Sequence, residues 1–266
     1  MSTQSPRMTA LITGASSGIG MEFARQMAGH GHNVVLVARS EDRLKALAAK
    51  LEGAHGIRAW VFPADLNDPQ APNRLVQQLE AERITVDILV NNAGFATYGH
   101  FATEIDLAKE LEMLQVNIVA LTHLTKLLVR PMLDRKRGYI LNVASTAAFQ
   151  PGPLMTVYYA SKAYVLSFSE GLAGELEGTG VSVTALCPGP TESGFQKRAA
   201  MEDSRLVQGG LMSVTEVVRE GYKGLMSGQT VVIPGWFNRL GALLPRFVPR
   251  KMAARIVMRM QSRVSH

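Results

Sequence analysis

The stretch TGASSGIG, Thr13 to Gly20, follows the apolar run MTALI and precedes the helical pattern MEFARQMA. Its three glycines, Gly14, Gly18 and Gly20, predict a strand–turn–helix unit in which backbone approaches a ligand closely. The spacing is neither the G-x-G-x-x-G dinucleotide fingerprint nor a P-loop, since no lysine follows. A glycine-rich turn that merely ends a strand is the alternative, so the motif needs support from the rest of the chain.

Length and composition favour one large α/β domain. The chain has 266 residues, of which 47% are hydrophobic, and it contains no linker-like segment. Its single cysteine, Cys187, lies in the apolar run VSVTALC and is predicted to be a buried, reduced thiol without a catalytic role. The N-terminal sequence MSTQSPRM lacks the apolar core of a signal peptide, so we expect a cytoplasmic protein.

Seven apolar runs alternate with helical segments. This alternation of continuous runs predicts a Rossmann-like, doubly wound parallel sheet of about seven strands with helices on both faces. Residues 1–235 are expected to form a single catalytic domain, and residues 236–266 a basic amphipathic C-terminal extension. The runs are ALI, NVVLVA, IRAWVF, VDILV, GYILNVA, VSVTALC and TVVIP.

Polar and turn-forming residues follow these runs, at the edge of the sheet where such folds bind ligands. Examples are RSEDR after the second run, NNAGF after the fourth and PGPTESG after the sixth. Helix capping alone explains about half of them, because N-caps also favour Ser, Thr, Asp and Asn. It does not explain NNAG or YYASK.

The residues that end the second run indicate the cofactor. An acidic residue here would bind the ribose of NAD, but the sequence reads Val37-Ala38-Arg39. A guanidinium suits the 2′-phosphate of NADP, so we expect NADP(H), with help from Arg43. The alternative is that Arg39 is an exposed cap residue and Glu41 or Asp42 reads the ribose. Asp65, after the third run, is expected at the adenine.

The pair Tyr158 and Lys162 stands four residues apart in a helical pattern and shares one face. At the carboxyl ends of the strands, Lys162 and a cationic nicotinamide would lower the pKa of the Tyr158 phenol, which would then act as an acid or base. Ser145 would donate a hydrogen bond to the substrate oxygen. A solvated helix surface is the alternative reading of such a pair. Tyr159 points elsewhere on the helix and is not chosen.

Together, TGASSGIG, NNAG, Asn117 in QVN, Ser145, YYASK and PGPT resemble the short-chain dehydrogenase/reductase superfamily over roughly residues 8–235. The resemblance implies that Ser145 polarises a carbonyl and that Tyr158 transfers a proton. Lys162 would bind the nicotinamide ribose, and Asn117 would hold a water in a proton relay. The implied cofactor contacts are Gly14, Ser16, Ser17, Gly18, Ile19, Gly20, Arg39, Asp65, Asn91, Ala93, Gly94, Tyr158, Lys162, Pro188, Gly189 and Thr191. The helix bearing Tyr158 commonly builds the dimer interface, so a homodimer or homotetramer is implied.

The C-terminal extension carries much of the net charge of +6. Seven of the 28 basic residues fall in residues 236–266, which contain no acidic residue. At helical spacing Met252, Ile256 and Met260 form one stripe, and Arg255, Arg259 and Arg263 form another. The apolar stripe is expected either to pack on the body or a second subunit, or to rest on an anionic membrane. Nucleic acid is not an expected partner, because no aromatic residues are interleaved with the charge.

The segment from Glu192 to Leu211 is expected to form a lid over the substrate. Its apolar residues, and the similarity of the basic tail to that of acyl-type short-chain dehydrogenases, favour an apolar or lipid-like carbonyl such as a 3-oxoacyl chain. We therefore expect an NADPH-dependent oxidoreductase that interconverts a ketone or aldehyde and an alcohol. The alternative is a regulatory or scaffold protein that binds NADPH with little turnover. No metal is expected, because the six histidines include no H-E-x-x-H motif.

Overall fold

The computed structural model describes residues 7–195 and 211–262. Seven strands, all paired in parallel, form one sheet in the order β3-β2-β1-β4-β5-β6-β7. Each apolar run of the sequence overlaps one strand, so the predicted Rossmann-like architecture is confirmed. The strands are β1 (Thr9–Thr13), β2 (Asn33–Ala38), β3 (Ala59–Pro63), β4 (Ile88–Asn91), β5 (Gly138–Val143), β6 (Val181–Leu186) and β7 (Val231–Val232).

Helices connect the strands and continue beyond the last one. A π-helical turn, Gln115–Ala120, joins α4 to α5, and 3-10 turns occupy Thr146–Phe149 and Leu244–Phe247. The helices described are α1 (Gly18–Gly29), α2 (Glu41–His55), α3 (Ala71–Ala81), α4 (Leu107–Leu114), α5 (Leu121–Asp134), α6 (Thr156–Glu175), α7 (Val214–Met226), α8 (Trp236–Leu243) and α9 (Arg250–Gln261).

The sheet has an apolar layer on each face. Ile12 belongs to the buried cluster that includes Phe23 and Met27 of α1, together with residues of α2 and α7. Its neighbour Leu11 belongs to the opposite cluster, with Leu75 of α3 and residues of α5. Successive side chains of a strand point to opposite faces, so burial on both faces requires continuous apolar runs. This requirement explains why the strands could be located in the sequence.

The strand order reverses at β1, which pairs with β2 on one side and with β4 on the other. The connections on the two sides of β1 leave toward opposite faces of the sheet, and the gap between them opens at the carboxyl ends of the strands. The glycine-rich turn after β1 and the NNAGF segment after β4 both begin at this gap.

The continuous helical run Leu107–Asp134 is long and apolar enough, by composition, to cross a membrane. In the fold it is a core helix instead. Its α5 part buries Leu124 and Met132 against the sheet, and the run also holds the buried polar residues Glu110 and Asn117.

Cys187 lies just after β6 and has no exposed surface. Burial raises the pKa of its thiol to about 12. The thiol is therefore neutral at physiological pH, and its burial agrees with the prediction of a buried cysteine.

Candidate active site

A cavity of about 890 Å³ runs along the carboxyl ends of the strands. Residues that directly follow β1, β2, β4, β5 and β6 line it, so the edge predicted from the sequence does form one continuous site. They include Gly14, Arg39, Asn92, Ala144 and Pro188.

The glycine-rich turn is fixed tightly to the segment after β4. The side-chain amide of Asn92 donates to the Thr13 carbonyl at 2.9 Å, and Thr13 Oγ1 accepts the main-chain N–H groups of Asn92 and Ala93 at 3.0 Å each. Gly14 has φ +67°, and a Cβ there would lie 2.7 Å from Asn92 Nδ2. Glycine is required at this position by conformation and by space.

Of the six residues predicted in this turn, four border the cavity: Gly14, Ser16, Ser17 and Ile19. Gly18 and Gly20 do not border it. A Cβ on Gly18 would contact Ser193, and one on Gly20 would overlap Asn92 and Gly14. These two glycines therefore permit close packing behind the site rather than forming its surface.

The end of the cavity beside α2 is basic. Arg39 and Arg43 line it, whereas Glu41 and Asp42 do not. Glu41 turns to Lys45, which lies 2.7 Å away. No carboxylate of α2 therefore borders the cavity. This absence argues against the alternative in which Glu41 or Asp42 binds the ribose.

Asp65 also borders this end, as predicted. One of its carboxylate oxygens accepts the main-chain N–H of Asn67 at 3.0 Å. That bond orders the turn after β3, the strand that neighbours β2 and Arg39.

Asn91 is predicted to contact the cofactor, but it does not border the cavity. Its side chain is buried within β4 and does not reach the cavity. Asn91 Nδ2 donates to Thr125 Oγ1 and to Asn142 Oδ1, both at 2.9 Å, and the Asn142 amide donates to Ser169 Oγ at 2.9 Å. This chain of bonds links β4, β5, α5 and α6. Ala93 and Gly94, also predicted, do line the cavity.

Tyr158 and Lys162 lie one turn apart on α6, and both line the cavity although they are only 8% and 6% exposed. Lys162 Nζ lies 5.7 Å from the centre of the Tyr158 ring and donates to the Val143 carbonyl at 2.8 Å. The alternative of a solvated surface pair is excluded by this burial.

Ser145 stands between β5 and α6, and its hydroxyl lowers the pKa of Tyr158, although burial of the phenol outweighs this effect. Ser145 Oγ accepts the main-chain N–H of Ala147 at 3.1 Å, where it caps the 3-10 turn, and donates to the Pro188 carbonyl at 3.4 Å. These two bonds fix the position of the hydroxyl at the cavity. Pro188, Gly189 and Thr191 line the cavity beside it, as predicted.

Asn117 lies in the π-helical turn, is 1% exposed, and does not border the cavity. Its amide donates to the Phe95 carbonyl at 3.0 Å and to Ser161 Oγ at 3.1 Å, and its oxygen accepts the Phe95 N–H at 3.2 Å. Ser161 Oγ in turn donates to the Tyr158 carbonyl at 2.7 Å. Asn117 therefore ties the NNAGF segment to the helix that carries Tyr158. Such π-helical turns occur frequently at functional sites.

Burial dominates the titration of both catalytic candidates. It raises the pKa of Tyr158, and only the hydrogen bond with Ser145 opposes it; burial lowers the pKa of Lys162 to about 8. The lowering predicted for the phenol is thus not produced by the groups of the chain alone. Desolvation of the phenolate outweighs the hydrogen-bonding contribution of Ser145 to the pKa of Tyr158.

Residues after β7 also line the cavity. The sequence did not predict that they contribute to the site. The α9 stripe that packs on the body consists of Ala253, Val257 and Gln261, not of the expected Met252, Ile256 and Met260. The cavity residues from this part of the chain are Phe237, Asn238, Gly241, Leu244, Pro245, Val248, Ala253, Ile256, Val257 and Met260.

Gln261 anchors α9 beside the predicted catalytic tyrosine. Its amide donates to the Tyr159 hydroxyl, and its main-chain carbonyl accepts the Tyr98 hydroxyl. Tyr159 therefore also lies at the cavity, although its role there is to hold α9. The spacing of Ala253, Val257 and Gln261 by four residues was the available signal for this contact.

Most of the predicted lid, residues 196–210, lies outside the described part of the chain. Phe195 is described and lines the cavity, with its ring centre 5.5 Å from that of Tyr158.

Comparisons with known proteins agree with this geometry. The family model for short chain dehydrogenase matches residues 8–204. A short chain dehydrogenase of Pseudocercospora fijiensis is 37% identical over 227 residues, which make up 85% of this chain and 72% of that protein. A very-long-chain 3-oxoacyl-CoA reductase of Anas platyrhynchos is 35% identical over 183 residues, or 67% of this chain and 58% of the duck protein.

Among solved structures, the short-chain dehydrogenase from Sphingobium yanoikuyae in complex with NADPH has a TM-score of 0.81 and 34% sequence identity. The match covers 90% of this chain and 93% of that chain. The sheet order, the cavity and the two sequence relationships lead to the same conclusion: this chain belongs to the short-chain dehydrogenase/reductase family of oxidoreductase enzymes.

Proposed function

We propose that the protein is an NADPH-dependent reductase that interconverts a ketone or aldehyde and the corresponding alcohol. The observation that carries the proposal is that Ser145, Tyr158 and Lys162 line the same cavity, with Tyr158 and Lys162 buried and the Lys162 Nζ 5.7 Å from the centre of the Tyr158 ring. A hydroxyl donor, a phenol and an ammonium are what carbonyl reduction needs around the substrate oxygen.

The residues of the chain fit a dinucleotide. Gly14, Ser16, Ser17 and Ile19 line the cavity at the start of α1, where main-chain N–H groups of a helix N-terminus would bind a pyrophosphate. Family members use NAD or NADP, and we propose NADP(H) here, because Arg39 and Arg43 face the cavity without a competing carboxylate from α2. An arginine–phosphate contact contributes roughly 1.5–3 kcal/mol.

In the proposed reaction, bound NADPH supplies the hydride that reduces the carbonyl carbon. Ser145 donates a hydrogen bond to the carbonyl oxygen, and the Tyr158 hydroxyl transfers its proton to that oxygen as the alcohol forms. Burial raises the pKa of Tyr158, so the phenol carries this proton at neutral pH. The phenolate left behind is stabilised by Ser145 and by the Lys162 ammonium. Asn117 acts as a positioning residue, through Ser161 and the Tyr158 carbonyl.

We propose an apolar, lipid-like substrate such as a 3-oxoacyl compound. Among the residues that line the cavity, Phe195, Leu244, Val248 and Val257 are apolar and offer a substrate no charged partner. The relationship to a very-long-chain 3-oxoacyl-CoA reductase supports this choice.

We also propose a homodimer or homotetramer. Leu107 and Leu111 of α4, Val119 of the π-helical turn and Tyr164 of α6 are large apolar side chains between 38% and 66% exposed. These elements include the helix that carries Tyr158, so association through them would bury this surface and brace the site.

We propose that the enzyme works in the cytoplasm with its C-terminal segment against an anionic membrane. Residues 1–235 would form the catalytic domain, and residues 236–266 an extension that completes the substrate end of the cavity.

The test measures NADPH consumption by the purified protein with ketones of increasing chain length. The variant Tyr158→Phe is assayed under the same conditions for comparison. We expect turnover that rises with chain length, and a loss on the order of 10²- to 10⁴-fold in Tyr158→Phe with NADPH binding retained. Equal turnover by the variant, or no turnover of any ketone despite tight NADPH binding, would contradict the proposal.

A further inference from the structure

Exposed apolar side chains are concentrated in one stretch after β7. Of the fourteen large hydrophobic side chains that are exposed in the described residues, nine lie between Trp236 and Met260. Phe247 is 84% exposed, Phe237 70% and Trp236 65%. Soluble proteins rarely present so many together unless the surface meets a partner or a membrane. We call this set the apolar rim: Trp236, Phe237, Leu240, Leu243, Leu244, Phe247, Met252, Ile256 and Met260.

The same stretch is basic. Arg246, Arg250, Lys251, Arg255 and Arg259 are all exposed and lie between or beside the rim residues. Residues 236–262 contain no acidic residue, and within the described chain only Arg239 of this stretch forms an ion pair, with Glu220 at 3.3 Å. Apolar side chains next to unpaired cations match the chemistry of an anionic bilayer interface.

The apolar rim is also the edge of the cavity. Four of its members, Phe237, Leu244, Ile256 and Met260, line the cavity while remaining exposed. The segment is held firmly in this position, because Val257 is buried and Gln261 is bonded to Tyr159. A membrane or partner that covers the apolar rim therefore also covers the part of the cavity that these four residues line.

We propose that the apolar rim docks on an anionic membrane and that the long-chain substrate enters the cavity directly from the bilayer. The entry route rests on the proposed reductase function, whereas the docking does not. Rim side chains would lie among the lipid chains, and the five cations would lie at the headgroups. A ketone of low water solubility would then reach Tyr158 without leaving an apolar environment.

A second copy of the chain is a poorer occupant of this surface. In a twofold interface the same patch faces itself, so five unpaired cations would meet five more with no acidic residue from this stretch between them. The exposed side chains of α4 and α6 offer a separate surface for self-association without this repulsion.

The experiment uses Trp236 as its probe. The chain has two tryptophans, so Trp60→Phe leaves Trp236 as the single tryptophan whose emission is followed. The full-length protein is titrated with vesicles of phosphatidylcholine, with and without phosphatidylglycerol. We expect a blue shift of the emission and co-sedimentation with the anionic vesicles, both weakened by salt.

Matched variants identify the surface. Phe247→Ser should lower partitioning about tenfold, because a Phe transferred from water contributes that much or more. Replacing Arg255 and Arg259 by Gln should lower it roughly tenfold or more for anionic vesicles. The control is Phe101→Ser, a 56% exposed phenylalanine outside this stretch, which should change nothing. None of these residues lines the cavity, so turnover of a short, water-soluble ketone should be unchanged.

Two results would overturn the docking: no blue shift with anionic vesicles, or an equal loss of binding in Phe101→Ser and Phe247→Ser. If the protein does not bind vesicles and Phe247→Ser changes its oligomeric state, the apolar rim is an interface with a second copy of the chain instead. Vesicle binding without turnover of any ketone would leave the docking intact and contradict only the reductase function. If vesicles bind but do not accelerate turnover of long-chain ketones, the entry route is wrong.

Discussion

The two ends of the cavity are built in different ways. At the cofactor end the walls are turns that follow strands, held by short hydrogen bonds such as that from Asn92 to the Thr13 carbonyl at 2.9 Å. At the substrate end the walls are side chains of α8 and α9, which pack through a few buried contacts and leave much of their apolar surface exposed. A backbone-built wall tolerates little change, because each added atom displaces main chain. A wall built from side chains can be altered one residue at a time.

Lys162 lies where the two ends meet, and its replacement should have the largest effect. We expect Lys162→Met to lower kcat/KM by about 10³-fold, because it removes the charge that stabilises the phenolate. Steady-state kinetics at saturating NADPH would measure this. Near-normal turnover would show that Tyr158 works without the ammonium.

The same variant changes the dependence of stability on pH. Burial lowers the pKa of Lys162 from 10.5 to about 8, so between these values the unfolded chain binds more protons than the folded one. The stability of the wild-type protein relative to Lys162→Met should therefore rise by roughly 2–3 kcal/mol from pH 8 to pH 10.5 and stay constant below pH 8. Urea unfolding at several pH values measures this. A constant difference would mean that Lys162 is not desolvated.

Gly14→Ala tests how closely the glycine-rich turn after β1 packs against the segment after β4. Crowding against Asn92 and a positive φ should together cost about 3 kcal/mol of unfolding free energy and weaken NADPH binding. The matched control is Gly31→Ala, which has φ +81° but no atom within 4 Å of the added Cβ, and should cost about 1 kcal/mol. Equal losses would mean that the turn is less tightly fitted than its contacts indicate.

Arg39→Gln examines the choice of cofactor. We expect the preference for NADPH over NADH to fall about 10- to 100-fold, mainly through NADPH binding. Arg25→Gln, an exposed arginine that does not border the cavity, should leave the preference unchanged. An unchanged preference in Arg39→Gln would mean that Arg43 or a different element binds the 2′-phosphate.

Met260→Trp and Met252→Trp probe the side-chain-built end and should give the smallest effect. Both methionines lie on α9 and are 46% and 50% exposed, but only Met260 lines the cavity. The larger side chain at 260 should shift the preference toward shorter ketones by about fivefold, whereas the change at 252 should not. Chain-length profiles of kcat/KM compare them directly. Identical profiles would mean that the substrate does not reach this wall.

The sequence predicted the cofactor end better than the substrate end for a physical reason. Strands buried on both faces require continuous apolar runs, and turns that approach a ligand require glycine, so both are visible in a single chain. The orientation of Asn91 was not predicted, because a residue at the last position of a strand can turn into the sheet or toward the cavity. Its bonds to Thr125 and Asn142 depend on tertiary neighbours.

The C-terminal helix shows a related difficulty. Hydrophobicity selects Met252, Ile256 and Met260 as the packing stripe, yet the smaller Ala253 and Val257 pack against the body. Small side chains allow closer approach, and the polar Gln261 is accepted because Tyr159 supplies a bonding partner. Neither factor can be judged before the partner surface is known.

The π-helical turn around Asn117 gives the helix from α4 to α5 an additional residue per turn. Deleting one residue from Gln115–Ala120 would remove that extra residue and restore regular α-helical bonding, so α4 and α5 would keep nearly the same relative orientation. Glu110, which accepts a bond from Thr97 at 3.0 Å, and the buried Met113 would then keep their places, whereas Asn117 would lose the wider turn from which it bonds to Phe95 and Ser161. The chain is therefore expected to fold with this turn shortened by one residue but to lose the link between Asn117 and the helix that carries Tyr158.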